Sequence, residues 1–144
     1  MKTLYLKLIE LLSEIPELKY IDLDFGQLQV EKPPLIYPAV LIKIDASVTD
    51  DVQDVFQILT GNFDLTLCVK MLNESNAAAP VEVREKALEY FDISEKIYKK
   101  LQGYKNSHFE SFSWKTTRDQ SLRKGLKTTV QRFETSRSEE HTSE

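Results

Sequence analysis

The sequence predicts an α+β domain in which two helices pack against a mixed or antiparallel sheet. Two segments, 2–14 and 81–101, repeat apolar residues with the 3.6-residue period of a helix that buries one face. Five other segments alternate apolar with polar residues, as half-buried strands do. The predicted order is α-β-β-β-α-β-β, and this order favours helices layered on a single sheet.

The N-terminal segment is predicted to be an amphipathic helix. Its apolar stripe consists of Leu4, Leu8, Leu11 and Ile15. Pro16 ends the helix, because proline lacks the backbone N–H that a further turn needs. A signal peptide is the other interpretation, but Lys7 and Glu10 interrupt the apolar run and no small-residue cleavage pattern follows.

Two strands are predicted before residue 46. The segment 20–25 alternates apolar residues with Tyr and Asp, and the segment 39–45 places Val and Ile at every second position. Prolines precede the second strand and bias its approach towards extended backbone. The polar, acidic stretch that follows, 45–54, is predicted to be a loop.

The third strand, 57–72, has the clearest pattern in the chain. From Phe63 to Met71, apolar side chains occupy every second position, with polar residues and Cys68 between them. A strand of this length commonly bends around a core, so we predict a bulge or a tight turn at Gly61-Asn62.

The second helix, 81–101, and a closing hairpin complete the domain. The helix is predicted to bury a face made of Val83, Ala87, Tyr90, Phe91, Ser94, Ile97 and Leu101. Gly103 is its predicted stop. The hairpin strands are 108–118 and 125–135, and Phe112 and Trp114 share a strand face that is predicted to be core.

Composition argues against an enzyme. Cys68 is the only cysteine, so no intrachain disulfide forms, and no nearby base would make it a nucleophile. His108 and His141 lie at no metal-ligand spacing, and the glycine-rich phosphate loops are absent. We therefore predict no catalytic residue, no cofactor and no metal. No apolar run is long enough to span a membrane.

Charge is unevenly distributed along the chain. The formal net charge is −4, but residues 1–80 hold 6 Lys/Arg against 12 Asp/Glu, and residues 81–135 hold 12 against 8. A bipolar surface suits head-to-tail self-association or docking on charged partners. The alternative is an ordinary solvated helix face with a few loop lysines.

The hairpin is the most basic part of the chain. Its cations, between residues 115 and 132, are Lys115, Arg118, Arg123, Lys124, Lys127 and Arg132. Cations beside aromatic residues on a sheet are typical of proteins that bind single-stranded nucleic acid. Here the alternation spreads the charge over both strand faces. We therefore favour a structural hairpin with charged loops, and a small nucleic-acid-binding module is the alternative function.

The chain as a whole resembles the small tail-terminator or tail-completion proteins of long-tailed phages and prophages. The resemblance covers roughly residues 2–135. It lies in the order of the leading helix, the strands PPLIYPAVLIKID and GNFDLTLCVKM, the second helix, and the hairpin ending in TTVQRFE. Minor tail proteins and head–tail joining proteins are alternatives within the same class.

The resemblance implies a structural role based on binding. Such subunits form a ring, usually a hexamer, which caps the finished tail tube and presents a surface for head attachment. The implied partners are other copies of the chain, the tail-tube protein and the head–tail connector protein, and DNA would only pass through the ring. The implied location is the virion, after assembly in the bacterial host cytoplasm. Candidate subunit contacts on the hairpin are Arg118, Arg123, Lys124, Lys127 and Arg132.

The last eight residues, RSEEHTSE, match in order the translation of a widely used short-read sequencing adapter. We interpret 137–144 as a non-native, disordered appendage and place the single domain at 1–136. The natural C-terminus would then be unknown. A genuine disordered Ser/Glu tail is the alternative.

Overall fold

A computed structural model describes residues 2–30, 33–52, 56–70, 81–106, 109–120 and 125–140 of the protein. The elements in chain order are α1 (Lys2–Leu12), β1 (Tyr20–Leu23), a short 3-10 turn (Gln27–Gln29), β2 (Ala39–Val52), β3 (Phe56–Lys70), α2 (Val81–Leu101), β4 (Ser113–Gln120) and β5 (Leu126–Glu140). The α+β class and the order of helices and strands are confirmed. Several sequence predictions concern parts outside this description, namely Met71, His108, Arg123, Lys124, His141 and the side chains of Val83 and Ala87.

The five strands form one mixed sheet in the order β1-β2-β3-β5-β4. β1 runs parallel to β2, and the other neighbours pair antiparallel. The long strand β3 lies at the centre, and β1 and β4 are the two edges. The first two strands of the chain, β1 and β2, therefore lie on one side of the central strand β3, and the last two, β4 and β5, lie on its other side.

Both helices pack on one face of the sheet. The apolar stripe predicted for α1 is buried there, together with Tyr90, Ile93, Ile97 and Leu101 of α2. Phe63 is fully buried at the centre of this core. Its ring meets Phe112 edge-on at 5.0 Å between centroids and stacks on Phe133 at 5.4 Å. Aromatic pairs in these arrangements add to the stabilisation that burial alone gives.

The opposite face of the sheet is also buried along its middle. Its buried residues are Ala39, Leu41, Thr66, Cys68, Thr128 and Val130. Cross-strand pairing places Cys68 opposite Ala39 on one side and Thr128 on the other. The predicted alternation of β3 is therefore confirmed, because its apolar residues face the helices. The side chains on its other face are buried as well at this position.

The burial of Cys68 has a measurable consequence. Burial raises the pKa of its thiol from 9.0 to about 12, and the charge of Asp24 acts in the same direction. Because the thiolate is the reactive form, we expect a thiol reagent to label the native protein at neutral pH roughly 100-fold or more slowly than the unfolded chain. Ellman's reagent with and without denaturant measures this ratio, and equal rates would contradict it.

The same pKa shift predicts a pH dependence of stability. The unfolded thiol ionises near 9.0, whereas the native thiol keeps its proton up to about 12. The stability gained from keeping the native thiol neutral is therefore fully present below pH 9.0. It is lost as pH rises through about 12, the pKa of the native thiol. Cys68→Ala should remove this part of the decline, which urea titrations at pH 8 and about pH 10 would detect.

The predicted loop 45–54 is wrong for residues 45–52, which belong to a strand, and residues 53 and 54 lie outside the described ranges. β2 continues to Val52, and its far half pairs with β3, ending at Val52 opposite Phe56. The register shift in this pair falls between Val48 and Asp50, so the bulge lies there and not at Gly61-Asn62. Pairing with a long central strand overrides the low strand propensity of acidic residues, because the ladder bonds are made by the backbone.

The C-terminal segment also departs from its prediction. β5 continues to Glu140, and the backbone of 137–140 pairs with β3 between Phe56 and Leu59. The prediction that the chain is disordered from residue 137 is therefore wrong for residues 137–140. The physical reason is that the end of β3 offers backbone hydrogen-bond partners to any non-proline residue. The non-native origin of 137–144 stays an interpretation.

Candidate interaction site

β4 is an exposed edge strand. Within the described part of the chain it pairs only with β5, and the side chains from Trp114 to Asp119 are all exposed. A register shift between Trp114 and Thr116 leaves Lys115 out of the ladder. An edge of this kind offers unpaired backbone groups to another chain, while a bulge and charged side chains limit indiscriminate pairing.

Helix α2 and Gln102, the residue that follows it, hold both ends of β4 in place. At one end, the backbone N–H of Trp114 donates to Oε1 of Gln102 at 2.8 Å. At the other end, the phenol of Tyr90 donates to Oδ1 of Asp119 at 2.7 Å. The edge strand is thus fixed to the helix and presents a defined surface.

The Tyr90–Asp119 contact belongs to a small polar cluster. The hydroxyl of Thr129 hydrogen-bonds to the phenol oxygen of Tyr90, and its Oγ1 lies 3.1 Å from Oδ1 of Asp119. Nζ of Lys127 lies 3.3 Å from Asp119 Oδ2 and 5.2 Å from the centre of the Tyr90 ring. A tyrosine, a carboxylate and an amine at these distances are close enough for proton transfer.

The pKa shifts in this cluster indicate anchoring instead of proton transfer. Burial, more than any other cause, raises the pKa of Tyr90 to about 12. The hydrogen bond from Tyr90 lowers the pKa of Asp119. At neutral pH the phenol therefore keeps its proton and the carboxylate accepts it as a hydrogen bond, which joins α2 to the two hairpin strands.

The hairpin cations predicted as contacts do not form one patch. Lys127 lies on the helix-covered face of the sheet and is engaged by Asp119. Arg132 lies on the opposite face and binds Asp64 through two hydrogen bonds, of 2.7 and 2.9 Å. Arg118 is exposed on that face and has no ion pair among the described residues. Arg123 and Lys124 lie outside the description.

Contrary to the prediction, Trp114 is not in the core, whereas Phe112 is fully buried as predicted. Trp114 is 41 % exposed, because it lies on the edge strand where the sheet ends. Its ring meets Tyr98 edge-on at 6.0 Å, and its Nε1–H donates to Oγ1 of Thr117 at 2.8 Å. The indole is thus held in place while much of its surface faces solvent.

Phe91 is also misplaced by the sequence prediction. It is 57 % exposed, whereas Ile93, which the prediction did not include in the buried face, is fully buried. Leu88 and Tyr98 lie on the same outer stripe of α2 and are exposed too. The spacing of 88, 91 and 98 is a second helical stripe beside the buried one, and this excess of apolar positions is the signal in the sequence that the prediction overlooked.

The exposed stripe of α2 and the β4 edge adjoin where the ring of Tyr98 meets that of Trp114. On α2, Lys96 and Lys100 pair with Glu17 and Glu14 at the α1 side. At 3.6 residues per turn, Phe91 and Tyr98 lie on the other flank, above the β4 edge. We call this the β4-edge surface. It consists of Leu88, Phe91 and Tyr98 on α2 and of Trp114, Lys115 and Arg118 on β4, with Arg118 on the strand face turned away from α2.

A shallow cavity of about 380 Å³ lies between the end of α1 and α2. It is lined by Glu14, Ile15, Pro16, Lys96, Lys99 and Lys100. Each of its lysines has a glutamate partner, so the cavity offers no unbalanced positive charge to an anion.

The chain matches no protein-family model and no curated protein. No helix in the described ranges is long and apolar enough to cross a membrane. No group of three or more potential metal-ligating side chains occurs among the residues that the structure describes.

Proposed function

We propose that this protein is a structural subunit of a phage or prophage tail. It forms a ring of the tail-terminator or tail-completion type, which caps the tail tube and joins it to the head. The supporting observation is the β4-edge surface, where four large apolar side chains are exposed beside two cations on an edge strand. Exposed apolar surface of this extent is typical of contacts between protein chains.

The polar chemistry of the site favours binding over catalysis. Tyr90 and Asp119 both have shifted pKa values, and each is engaged by the other through a hydrogen bond. An acid or base that is fully engaged within the fold has little capacity to exchange protons with a substrate.

The nucleic-acid-binding alternative draws less support from the hairpin. Lys127 and Arg132 are neutralised by Asp119 and Asp64, and they lie on opposite faces of the sheet. Among the described cations of the hairpin, Lys115 and Arg118 alone are left to contact phosphate. A single-strand binder needs a basic groove that follows the backbone over several nucleotides.

The proposal is tested by adding the purified protein to growing tail tubes of the same phage or prophage. We expect it to bind at one tube end and stop elongation at substoichiometric ratios to tube protein. Negative-stain electron microscopy gives the tube lengths, and tubes grown without the protein give the background. Tubes that lengthen equally with excess protein present would contradict the proposal.

A further inference from the structure

A second exposed apolar surface lies at the opposite edge of the sheet. Phe25 is 70 % exposed, and Leu23, the last residue of β1, is also exposed. Asp22 and Asp24 flank Leu23 in the sequence. We call this the β1-edge surface, and it consists of Asp22, Leu23, Asp24 and Phe25.

The turn that carries Phe25 is held by several hydrogen bonds. The backbone N–H of Phe25 donates to Oε1 of Gln27 at 2.7 Å, and Nε2 of Gln27 donates to the carbonyl of Leu23 at 2.9 Å. Oδ1 of Asp24 accepts from the N–H of Gly26, whose φ of 88° suits a residue without a Cβ. The exposed phenylalanine is therefore pre-organised, which lowers the entropy lost when it is covered.

The two edge surfaces cannot meet within one molecule. Three strands, β2, β3 and β5, lie between β1 and β4. Four strand spacings of about 4.8 Å separate the edges by roughly 19 Å. A contact between the two surfaces must therefore join different copies of the chain.

The charges of the two surfaces are complementary. The β4-edge surface carries Lys115 and Arg118, which have no ion pair among the described residues. The β1-edge surface carries the carboxylates of Asp22 and Asp24. Opposite charges around an apolar contact set its orientation and exclude wrong pairings.

We propose that the β4-edge surface of one copy binds the β1-edge surface of the next copy. The inference rests on the proposed function in taking a second copy of this chain as the partner. The contact is heterologous, so each subunit has one surface of each kind left for a further copy, and the series closes into a ring when the rotation allows. Two β4 edges meeting each other would place Lys115 and Arg118 against their own copies, which like-charge repulsion opposes.

A charge swap tests this pairing. Lys115→Glu with Arg118→Glu makes the β4 edge acidic, and Asp22→Lys with Asp24→Lys makes the β1 edge basic. Each double variant alone should self-associate at least about 30-fold more weakly than the wild type, because like charges then face each other. An equimolar mixture should regain assembly, since each acidic edge now meets a basic one. Sedimentation velocity measures all three samples.

Two controls keep the test decisive. Lys70→Glu changes an exposed lysine at the end of the central strand β3 and should leave assembly unchanged. Asp22→Asn with Asp24→Asn removes the charges but keeps an amide oxygen as acceptor in the turn. If the lysine variant misfolds, this variant tests the same charges, and we expect it to assemble more weakly than the wild type. A mixture of folded swap variants that stays dissociated would overturn the pairing, as would full assembly of either swap variant alone.

The outcome is separable from that of the proposed function. Restored assembly of the mixture together with unaffected tube growth would support the pairing and contradict the tail role. Tube capping by swap variants that do not complement each other would contradict the pairing alone.

Discussion

Phe91→Glu is expected to raise the dissociation constant of self-association by about 30-fold or more. Phe91 is 57 % exposed and is one of the large aromatic side chains of the β4-edge surface. Aromatic residues at the centre of a protein contact commonly account for 2 kcal/mol or more of the binding free energy, which corresponds to this factor. Because its ring is largely outside the core, the fold itself should be little affected. Sedimentation equilibrium over a range of concentrations measures the constant.

Leu6→Glu is the matched control for this change. Leu6 is 54 % exposed on α1 and does not belong to the β4-edge surface. Both variants introduce the same charge at a similarly exposed apolar position on a helix. Equal loss of assembly in the two variants would show that added charge alone is responsible, and unchanged assembly of Phe91→Glu would show that this surface is not the contact.

Phe63→Ala should lower the free energy of unfolding by about 3–5 kcal/mol. Phe63 is fully buried on the central strand, and it packs against Phe112 and Phe133 from two directions. Removing its ring leaves a cavity between the ring of Phe133 on β5 and that of Phe112 in the segment before β4. Urea denaturation followed by circular dichroism measures the change.

Phe25→Ala provides the comparison for the core variant. The side chain of Phe25 is 70 % exposed, so its truncation should change the free energy of unfolding by no more than about 0.5 kcal/mol. The measurement belongs at low protein concentration, where association does not contribute to stability. A loss below about 1 kcal/mol for Phe63→Ala would contradict the packing described for the core.

The order of elements could be predicted because each has a strong local period. α1, α2 and the inward face of β3 follow from the spacing of apolar residues alone, and the structure confirms their positions. The end of α2 could also be predicted, since Gly103 adopts a positive φ of 80° just after the last helical residue.

The composition of the interaction site could not be predicted in the same way. Periodicity identifies Phe91 and Trp114 as apolar, but whether they are covered depends on which strand ends the sheet. That order is set by pairing between segments far apart in sequence, such as β3 with β5. The pairing also carries β2 through an acidic stretch, and it brings Arg132 to Asp64 across 68 positions of the chain.

The most direct measurement is the molar mass of the protein in solution, by size-exclusion chromatography with multi-angle light scattering. One chain has a mass of 16.7 kDa. A structural subunit that joins its β4-edge surface to a second copy should elute as a multiple of this value, and a six-membered ring would give about 100 kDa. A mass of one chain at every concentration tested would contradict self-assembly through this surface.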